Sequence, residues 1–192
     1  LEASHKLFME KGYDKTTIQD IMDAVGMSKG IIYYHFKSKE EVFDAVMKKQ
    51  FSQTNDVLAG IIESTQAPNA REKLTLILDA LSAGRSLREV DNVMLAQVKN
   101  PQFLIAGMQE AVHQDAPIFS KLMQDGIEDG SLTVDNSLET AEVLLFLLNI
   151  WCNPILFGRS KSETKSRMHL VQTIMQLLGV DVVSDQAIEN LL

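Results

Sequence analysis

The fold of this chain is decided by residues 16–39, TTIQDIMDAVGMSKGIIYYHFKSK. Four apolar side chains in this stretch recur at i, i+3, i+4 and i+7, a spacing that places them on one face of a helix. They are Ile18, Ile21, Met22 and Val25. The pattern predicts a short amphipathic helix with one buried side.

The two ends of this helix are also marked in the sequence. Thr16 stands three residues before Gln19, the spacing of a capping box, in which a hydroxyl and an amide pair with the first backbone N–H groups. Gly26 can adopt the left-handed conformation that ends a helix. We therefore expect the helix to begin just after Thr16 and to stop at Gly26.

A second short helix is predicted after only three residues. We expect Met27 to be a buried plug in the connection and Ser28 to cap the new helix. Ile32 and Phe36 are four residues apart and would hold this helix against the first one. Two short helices with so little chain between them cross steeply, which is the helix-turn-helix arrangement.

The other side of the second helix has the composition of a surface that reads a DNA groove. Lys29 and His35 can donate hydrogen bonds to phosphates or base edges, and Tyr33 and Tyr34 each carry a hydroxyl on a flat ring. Gly30 has no side chain near the helix start, where the backbone would come closest to DNA. These residues predict contact with duplex DNA.

The stretch resembles the DNA-binding domain of the TetR family of bacterial transcriptional repressors. Spacing, turn chemistry and residue types agree over about 45 residues, far more than a helix-turn-helix periodicity alone requires. The matching positions are Phe8, Lys11, Gly12, Tyr13, Thr16, Thr17, Ile21, residues 25–30, Tyr33, His35, Phe36, Ser38, Lys39 and Glu40. The resemblance covers the first quarter of the chain.

The resemblance implies a set of DNA contacts and a mode of regulation. It implies a repressor that binds a palindromic operator as a homodimer and is released by a small, largely apolar effector. Ile18 and Ile31 stand where some members carry polar base readers, so their contact here would be to a thymine methyl. The implied DNA-binding residues are Thr17, Ser28, Lys29, Gly30, Tyr33, Tyr34, His35 and Lys39.

The charge of the chain is unusual for a DNA-binding protein, but its distribution is informative. The 192 residues carry a formal net charge of −8. Residues 1–50 contain eight Lys or Arg and eight Asp or Glu, so the whole negative excess lies in the remainder. We therefore expect specific DNA binding to depend on a few placed contacts, on salt and on two linked copies.

Composition places the protein in a broad class. The chain has 45% hydrophobic and 23% charged residues, which indicates a folded helical protein. A single Cys excludes an internal disulfide framework, and no apolar run is long enough to cross a membrane, so we expect a cytoplasmic protein. The sequence starts without Met and inside a predicted helix, so we expect further residues upstream.

The rest of the chain reads as a helical body. Apolar side chains recur at helical spacing throughout, and no segment alternates with period two for long enough to be a strand. We predict an all-α fold of about nine or ten helices, in which a long helix from Lys39 joins a three-helix head to a larger bundle. The predicted domains are a DNA-binding head at 1–48 and a ligand-binding and dimerising body at 49–192.

Two sets of body residues are candidates for function. The last two long helices are strongly apolar, and the resemblance implies that they pair with their copies, although periodicity alone fits the core of one chain equally well. Their candidate interface residues are Leu144, Leu148, Trp151, Met168, Val171 and Met175. Candidates for an adaptable effector pocket are Met94, Met108, Met123, Phe103 and Phe119, although a methionine is more often ordinary core filler.

No catalytic or metal site is predicted. The chain has no Gly-rich phosphate loop, no nucleophile elbow and no His pair at i, i+4, so we expect neither enzyme activity nor a cofactor. His113 and Cys152 are expected to be structural. Two alternatives from other classes stay open. One is a helical protein-interaction module whose head does not bind DNA, in which the acidic body is the recognition surface. The other is an enzyme with an apolar helical cavity, which would need a catalytic pair that the sequence does not reveal.

Overall fold

The computed structural model describes residues 1–83 and 101–190. Across these two ranges the regular structure is entirely helical, and the predicted all-α fold is confirmed. Met94, one of the candidate pocket residues, lies outside the described residues.

The head begins with three helices, α1 at Glu2–Lys11, α2 at Ile18–Val25 and α3 at Lys29–His35. The capping box of α2 lies one residue later than predicted. Thr17 is the N-cap, its hydroxyl accepts from the Asp20 amide at 3.1 Å, and the Asp20 carboxylate accepts from the Thr17 amide at 2.9 Å. Thr16 is instead fully buried, where its hydroxyl donates to the Gly12 carbonyl at 2.7 Å.

The turn between α2 and α3 confirms one prediction and corrects another. Gly26 has φ 64° and ψ 28°, the left-handed conformation expected at the end of α2. Met27 is 47% exposed, so the prediction of a buried plug is wrong. The left-handed turn carries the chain out of the head core, and Ile32 provides the buried anchor of α3.

The long helix α4 spans Lys39–Ser64 and leaves the head for the body. Ser38 is the N-cap of this helix, and its hydroxyl accepts from the Glu41 amide at 3.2 Å. Helix α5 follows at Ala70–Ala83, after a break that contains Pro68, which cannot donate a backbone hydrogen bond to a continuing helix.

Two wide π-helical turns interrupt the body helices. The chain continues from α6 at Pro101–Glu110 through a π segment at Ala111–Asp115 into α7 at Ala116–Glu128. The residues Asp115, Ala116 and Pro117 are typical of a capped helix start, but Asp115 is helical and makes no side-chain cap. Pro117 has no N–H to donate back along the helix, and the wider turn immediately before it accommodates this loss.

The second π segment, Leu147–Trp151, extends α8 at Ser137–Phe146. A short α9 at Pro154–Phe157 begins at Asn153, whose side chain accepts from the Ile155 and Leu156 amides. In the part of the body that the structure describes, the last two helices are α10 at Lys161–Leu177 and α11 at Asp185–Asn190.

Two apolar cores lie along α4. The body core contains buried residues of α4, α5, α7, α8, α10 and α11. The head core contains Phe8, Ile21 and Phe43, together with Phe103 from α6. Phe43 packs edge-on against Phe8 and Phe103, with ring centroids 5.4 Å and 4.9 Å apart. A body helix thus supplies part of the head core.

Candidate functional site

Helix α3 lies on the surface of the head and is anchored by a single side chain. Ile32 is 5% exposed, whereas every other residue of α3 is exposed. Tyr34 is 85% exposed and Tyr33 is 44% exposed. The helix therefore offers nearly its whole polar surface to a partner, as a helix that enters a DNA groove must.

The exposed side chains of α3 form two local pairs. The Lys29 ammonium lies 5.7 Å from the centroid of the Tyr33 ring, within the range of a cation–π contact. The Tyr34 and His35 rings pack edge-to-face at 5.0 Å. Because these residues leave their hydrogen-bonding groups at the surface, they form a row suited to phosphates and base edges.

Ser28 and Gly30 lie at the start of α3. Ser28 is the N-cap by backbone geometry but makes no side-chain capping bond, and its hydroxyl is at the surface. A Cβ atom built on Gly30 would meet nothing within 4 Å. Packing within the described part of the chain therefore does not require a glycine at this position. Close approach of a partner to the backbone is a physical reason for one.

Thr17 and Asp20 fix the start of α2 together with a lysine of α1. The Thr17 hydroxyl and amide bond to Asp20, and the Lys11 ammonium donates to the other carboxylate oxygen at 2.7 Å. The Lys11 hydrogen bond, together with those from Thr17, lowers the pKa of Asp20 to about 2. Asp20 thus stays ionised at neutral pH and fixes the end of α2 that carries Thr17.

Lys39 fastens the start of α4 to the loop before α2. Its ammonium donates to the carbonyls of Tyr13 at 2.8 Å and Asp14 at 3.4 Å, and it lies 4.3 Å from the centroid of the Tyr13 ring. The side chain therefore positions the two helices of the motif within the head. Its contact with DNA stays a prediction, as do those of the other seven residues.

The structure adds Met27 to the exposed residues beside α3. Both Met27 and Ile31 are 47% exposed, so two apolar side chains flank the polar row. Such groups suit a thymine methyl in a major groove. The sequence pointed to Ile31 through the resemblance but gave no signal for Met27, whose apolar character favoured burial.

The body contains two adjoining cavities beside α4. The head-proximal cavity has a volume of about 220 Å³ and is lined by residues of α4, α6, α8 and both π segments, among others. The distal cavity, of about 150 Å³, lies among α4, α5, α7, α8, α10 and α11. Four residues line both, and we call them the waist: Thr54, Asp115, Leu145 and Asn149.

The predicted pocket residues fall in different places. Phe103 and Met108 line the head-proximal cavity, and Phe119 lines the distal cavity. Met123 is fully buried in the body core and is not part of either lining. Their role in effector binding stays a prediction.

The predicted interface residues lie mainly inside the single chain. Four of them are at most 1% exposed, namely Leu144, Met168, Val171 and Met175. Leu148 lines the distal cavity, and Trp151 packs against the body core with the Arg167 guanidinium 5.9 Å from the centroid of its ring. Because these side chains are buried within one chain, a second copy would have to contact other positions on the same helices. The dimer itself stays a prediction.

In residues 1–83 and 101–190, no three His, Cys, Asp or Glu side chains are grouped to hold a metal ion. Nor does any described helix have the length and apolar character needed to span a membrane. Cys152 is buried, and burial raises the pKa of its thiol to about 11.

Comparison with known proteins agrees with the head geometry. Residues 1–46 match the family model of bacterial regulatory proteins of the tetR family. An uncharacterized HTH-type transcriptional regulator of Bacillus subtilis, YfiR, is 27% identical over 190 residues, with 92% of this chain and 90% of the relative covered. The negative regulator IcaR of the biofilm operon icaADBC in Staphylococcus aureus is 42% identical over 52 residues, 27% of this chain and 28% of IcaR.

A solved structure gives the same fold. The TetR family regulator CifR, a cysteine mutant solved in complex with 26-bp double-strand operator DNA, has a TM-score of 0.54 and 21% identity. The match covers 91% of this chain and 95% of CifR. The exposed reading helix, the family match of the head and the regulators that match along the chain lead to one conclusion: residues 1–46 form a helix-turn-helix head of the TetR family, and the chain as a whole is similar to bacterial transcriptional regulators of that family.

Proposed function

We propose that this chain is a repressor that binds a palindromic operator as a homodimer and releases it when a small, largely apolar effector enters the body. The observation that carries the proposal is helix α3, which exposes every residue except Ile32. An isolated surface helix of this kind needs a partner that explains its aromatic and cationic side chains. The major groove of DNA fits its size and its donors.

The dimer would form on the outer faces of α8 and α10. Val143 of α8 is 43% exposed, and Leu170 and Leu177 of α10 are 48% and 82% exposed, with Leu178 at the C-cap of α10 42% exposed. Exposed apolar side chains at helical spacing mark a surface that a second copy can bury. Two-fold symmetry would then place the two copies of α3 about 34–36 Å apart, one turn of DNA.

The effector would act through the helices that join the two cores. The head-proximal cavity is lined by Phe51 of α4 and by Phe103 of α6, which packs against Phe43 in the head core. A ligand that favours one arrangement of α4 and α6 would shift the head with them. A 100-fold loss of operator affinity requires about 2.7 kcal/mol of coupling between the two sites.

We keep the division into a DNA-binding domain at 1–48 and a ligand-binding and dimerising domain at 49–192 as part of this proposal. Helix α4 crosses that boundary without a break. The domains are thus linked by a rigid element, which suits the transmission of a signal between them.

The experiment that tests DNA binding selects bound sites from random duplex DNA and then measures affinity by fluorescence anisotropy at several salt concentrations. We expect Tyr34→Ala to abolish operator binding, because 85% of this side chain is exposed on the reading helix. We expect Lys29→Gln to weaken binding and to lower the dependence of log affinity on log salt by about 0.9 for one lost phosphate contact.

The matched control is Lys121→Gln, which removes an exposed lysine of α7 whose partner is Asp125. This variant should bind the operator as the wild-type chain does. If the selection enriches no DNA, the operator proposal fails and the protein-interaction alternative is favoured. The same conclusion follows if DNA affinity depends neither on salt concentration nor on the Lys29→Gln substitution.

A further inference from the structure

The two π segments of the body meet at the waist between the cavities. Ala111–Asp115 contributes Asp115 and Leu147–Trp151 contributes Asn149, and both residues line both cavities. A π turn holds an extra residue, which rotates the following side chains by about 100° relative to an uninterrupted α-helix. Such turns are rare and often lie at functional sites, and here two separate helices use one to bring a polar group to the same place.

The waist is polar although the cavities on either side of it are lined mainly by apolar residues. Thr54 of α4 joins Asp115 and Asn149, so three hydrogen-bonding side chains surround the junction. An elongated ligand that occupied both cavities would have its middle beside these groups. A purely apolar ligand would place hydrocarbon against these polar groups and offer none of them a hydrogen bond, which is less favourable than a polar centre at that point.

The charge of the lining selects among polar ligands. Among the described residues that line the two cavities, the charged side chains are Asp115 and Glu110, both carboxylates. The Glu110 carboxylate accepts from the Asn55 amide at 2.9 Å. An anionic ligand would meet like charge at both positions, whereas a ligand N–H donor would be attracted to them.

Asp115 has the capacity for such a contact. A carboxylate has two oxygens with about four acceptor positions, so it can accept from a ligand as well as from donors of the protein. A charge-assisted hydrogen bond is among the strongest polar contacts that such a group can make.

The volumes limit the size of the ligand. An apolar cavity of about 150 Å³ holds a group the size of benzene, which corresponds to about six carbon atoms. The distal cavity has about this volume and the head-proximal cavity is somewhat larger, about 220 Å³. Each can therefore take a short hydrocarbon arm.

From these observations we infer that the effector is an apolar amine, cationic at neutral pH, with its nitrogen at the waist beside Asp115 and Asn149 and one hydrocarbon arm in each cavity. The inference rests on the proposed function, since it names the class of ligand to which the regulator responds.

The test compares three probes that share two hexyl arms and differ only at the centre: dihexylamine, dihexyl ether and 2-hexyloctanoate. Binding to the wild-type chain is measured by calorimetry and by the fluorescence of Trp151, the only tryptophan, which lies in the second π segment. We expect the amine to bind at least about tenfold more tightly than the ether, and the carboxylate to bind more weakly than both. A carboxylate that binds as well as the amine, or an ether that equals it, would overturn the inference.

A pair of variants locates the contact. Asp115→Asn should reduce amine affinity by at least about tenfold and leave ether affinity unchanged, because only the amine uses the charge. Asp135→Asn, at an exposed residue that lines neither cavity, should change neither affinity. Unchanged amine binding by Asp115→Asn would also overturn the inference, and the comparison of probes on the wild-type chain does not depend on how the variant folds.

These titrations contain no DNA, so they separate the ligand class from the regulatory role. If the chain does not bind an operator but binds the amine more tightly than the ether and the carboxylate, the proposed function is wrong. The inferred ligand class then remains as a binding property of the cavities. If the operator binds and the order of the probes is reversed, the regulator stands and the inferred ligand class falls.

Discussion

Gly30 is the residue at which stability and DNA binding should oppose each other. Its position in α3 has open space for a Cβ atom, so Gly30→Ala should raise the free energy of unfolding by up to about 1 kcal/mol through helix propensity. The added methyl group would lie where the backbone of α3 approaches DNA. We therefore expect weaker operator binding by a more stable protein, as measured by urea unfolding and anisotropy.

Gly60→Ala is the matched control for this prediction. Gly60 lies in α4, has no atom within 4 Å of an added Cβ and is remote in sequence from the reading helix. The variant should gain similar stability and keep full operator affinity. Equal operator affinity in the two variants would show that Gly30 is not a point of close approach.

Single residues also show how far sequence reasoning reaches in the head. Helical periodicity predicts which residues of α3 are exposed, because Ile32 marks the face of the helix that packs against the head core. The exact cap of α2 does not follow, since Thr16 and Thr17 are adjacent and both carry a hydroxyl. Burial of Thr16 against the Gly12 carbonyl decides between them, and that contact depends on how α1 packs.

At the scale of the helix, α10 has two apolar faces with different roles. Its most regular stripe, which includes Met168, Val171 and Met175, is buried in the body core. Leu170 and Leu177 point outward on the same helix. Periodicity identified the stronger stripe, but it does not distinguish a face that meets the same chain from one that meets a copy.

Leu177→Glu tests the outer face as the dimer surface. The side chain is 82% exposed in the single chain, so a carboxylate there should not disturb the core. In a dimer it would be buried near apolar residues and its symmetric copy, which is unfavourable. Light scattering should give twice the mass of one chain for the wild type at micromolar concentration and a single-chain mass for the variant.

The control for this measurement is Leu76→Glu, at a residue of α5 that is 47% exposed. It should keep the oligomeric state of the wild type. A monomeric wild-type chain, or a Leu177→Glu variant that remains dimeric, would contradict the assigned face.

The π segments mark another limit of sequence reasoning at this scale. Asp115, Ala116 and Pro117 predicted a helix start, because Asp caps helices and Pro favours their first turn. The helix instead continues through a wide turn. Since a π turn is selected by packing on both sides of it, local sequence contains little information about it.

In the whole molecule, Phe103 joins the body to the head. Its ring is 3% exposed and packs edge-on against Phe43, so Phe103→Ala would open a cavity in the head core. We expect the free energy of unfolding to fall by about 3–5 kcal/mol, as for other buried Phe to Ala changes. Urea unfolding followed by circular dichroism measures this loss.

Phe157→Ala provides the comparison, since Phe157 is 51% exposed on the short helix α9. Its effect should stay within about 0.5 kcal/mol, as for most surface changes. A loss for Phe103→Ala as small as the one expected for Phe157→Ala would mean that the Phe103 contact contributes little to the head.

The shared head core also has a practical consequence for engineering. Because the Phe103 ring completes a layer of aromatic side chains begun by Phe8 and Phe43, a chimera made by grafting residues 1–48 onto a foreign body would leave that layer open on one side. A head that can be transferred as a stable unit is therefore discontinuous in sequence, because it must include helix α6 together with helices α1–α4. Exchange of heads among regulators of this architecture should give stable chimeras when the recipient body has an aromatic residue at the position equivalent to Phe103. Chimeras whose body lacks such a residue should be unstable.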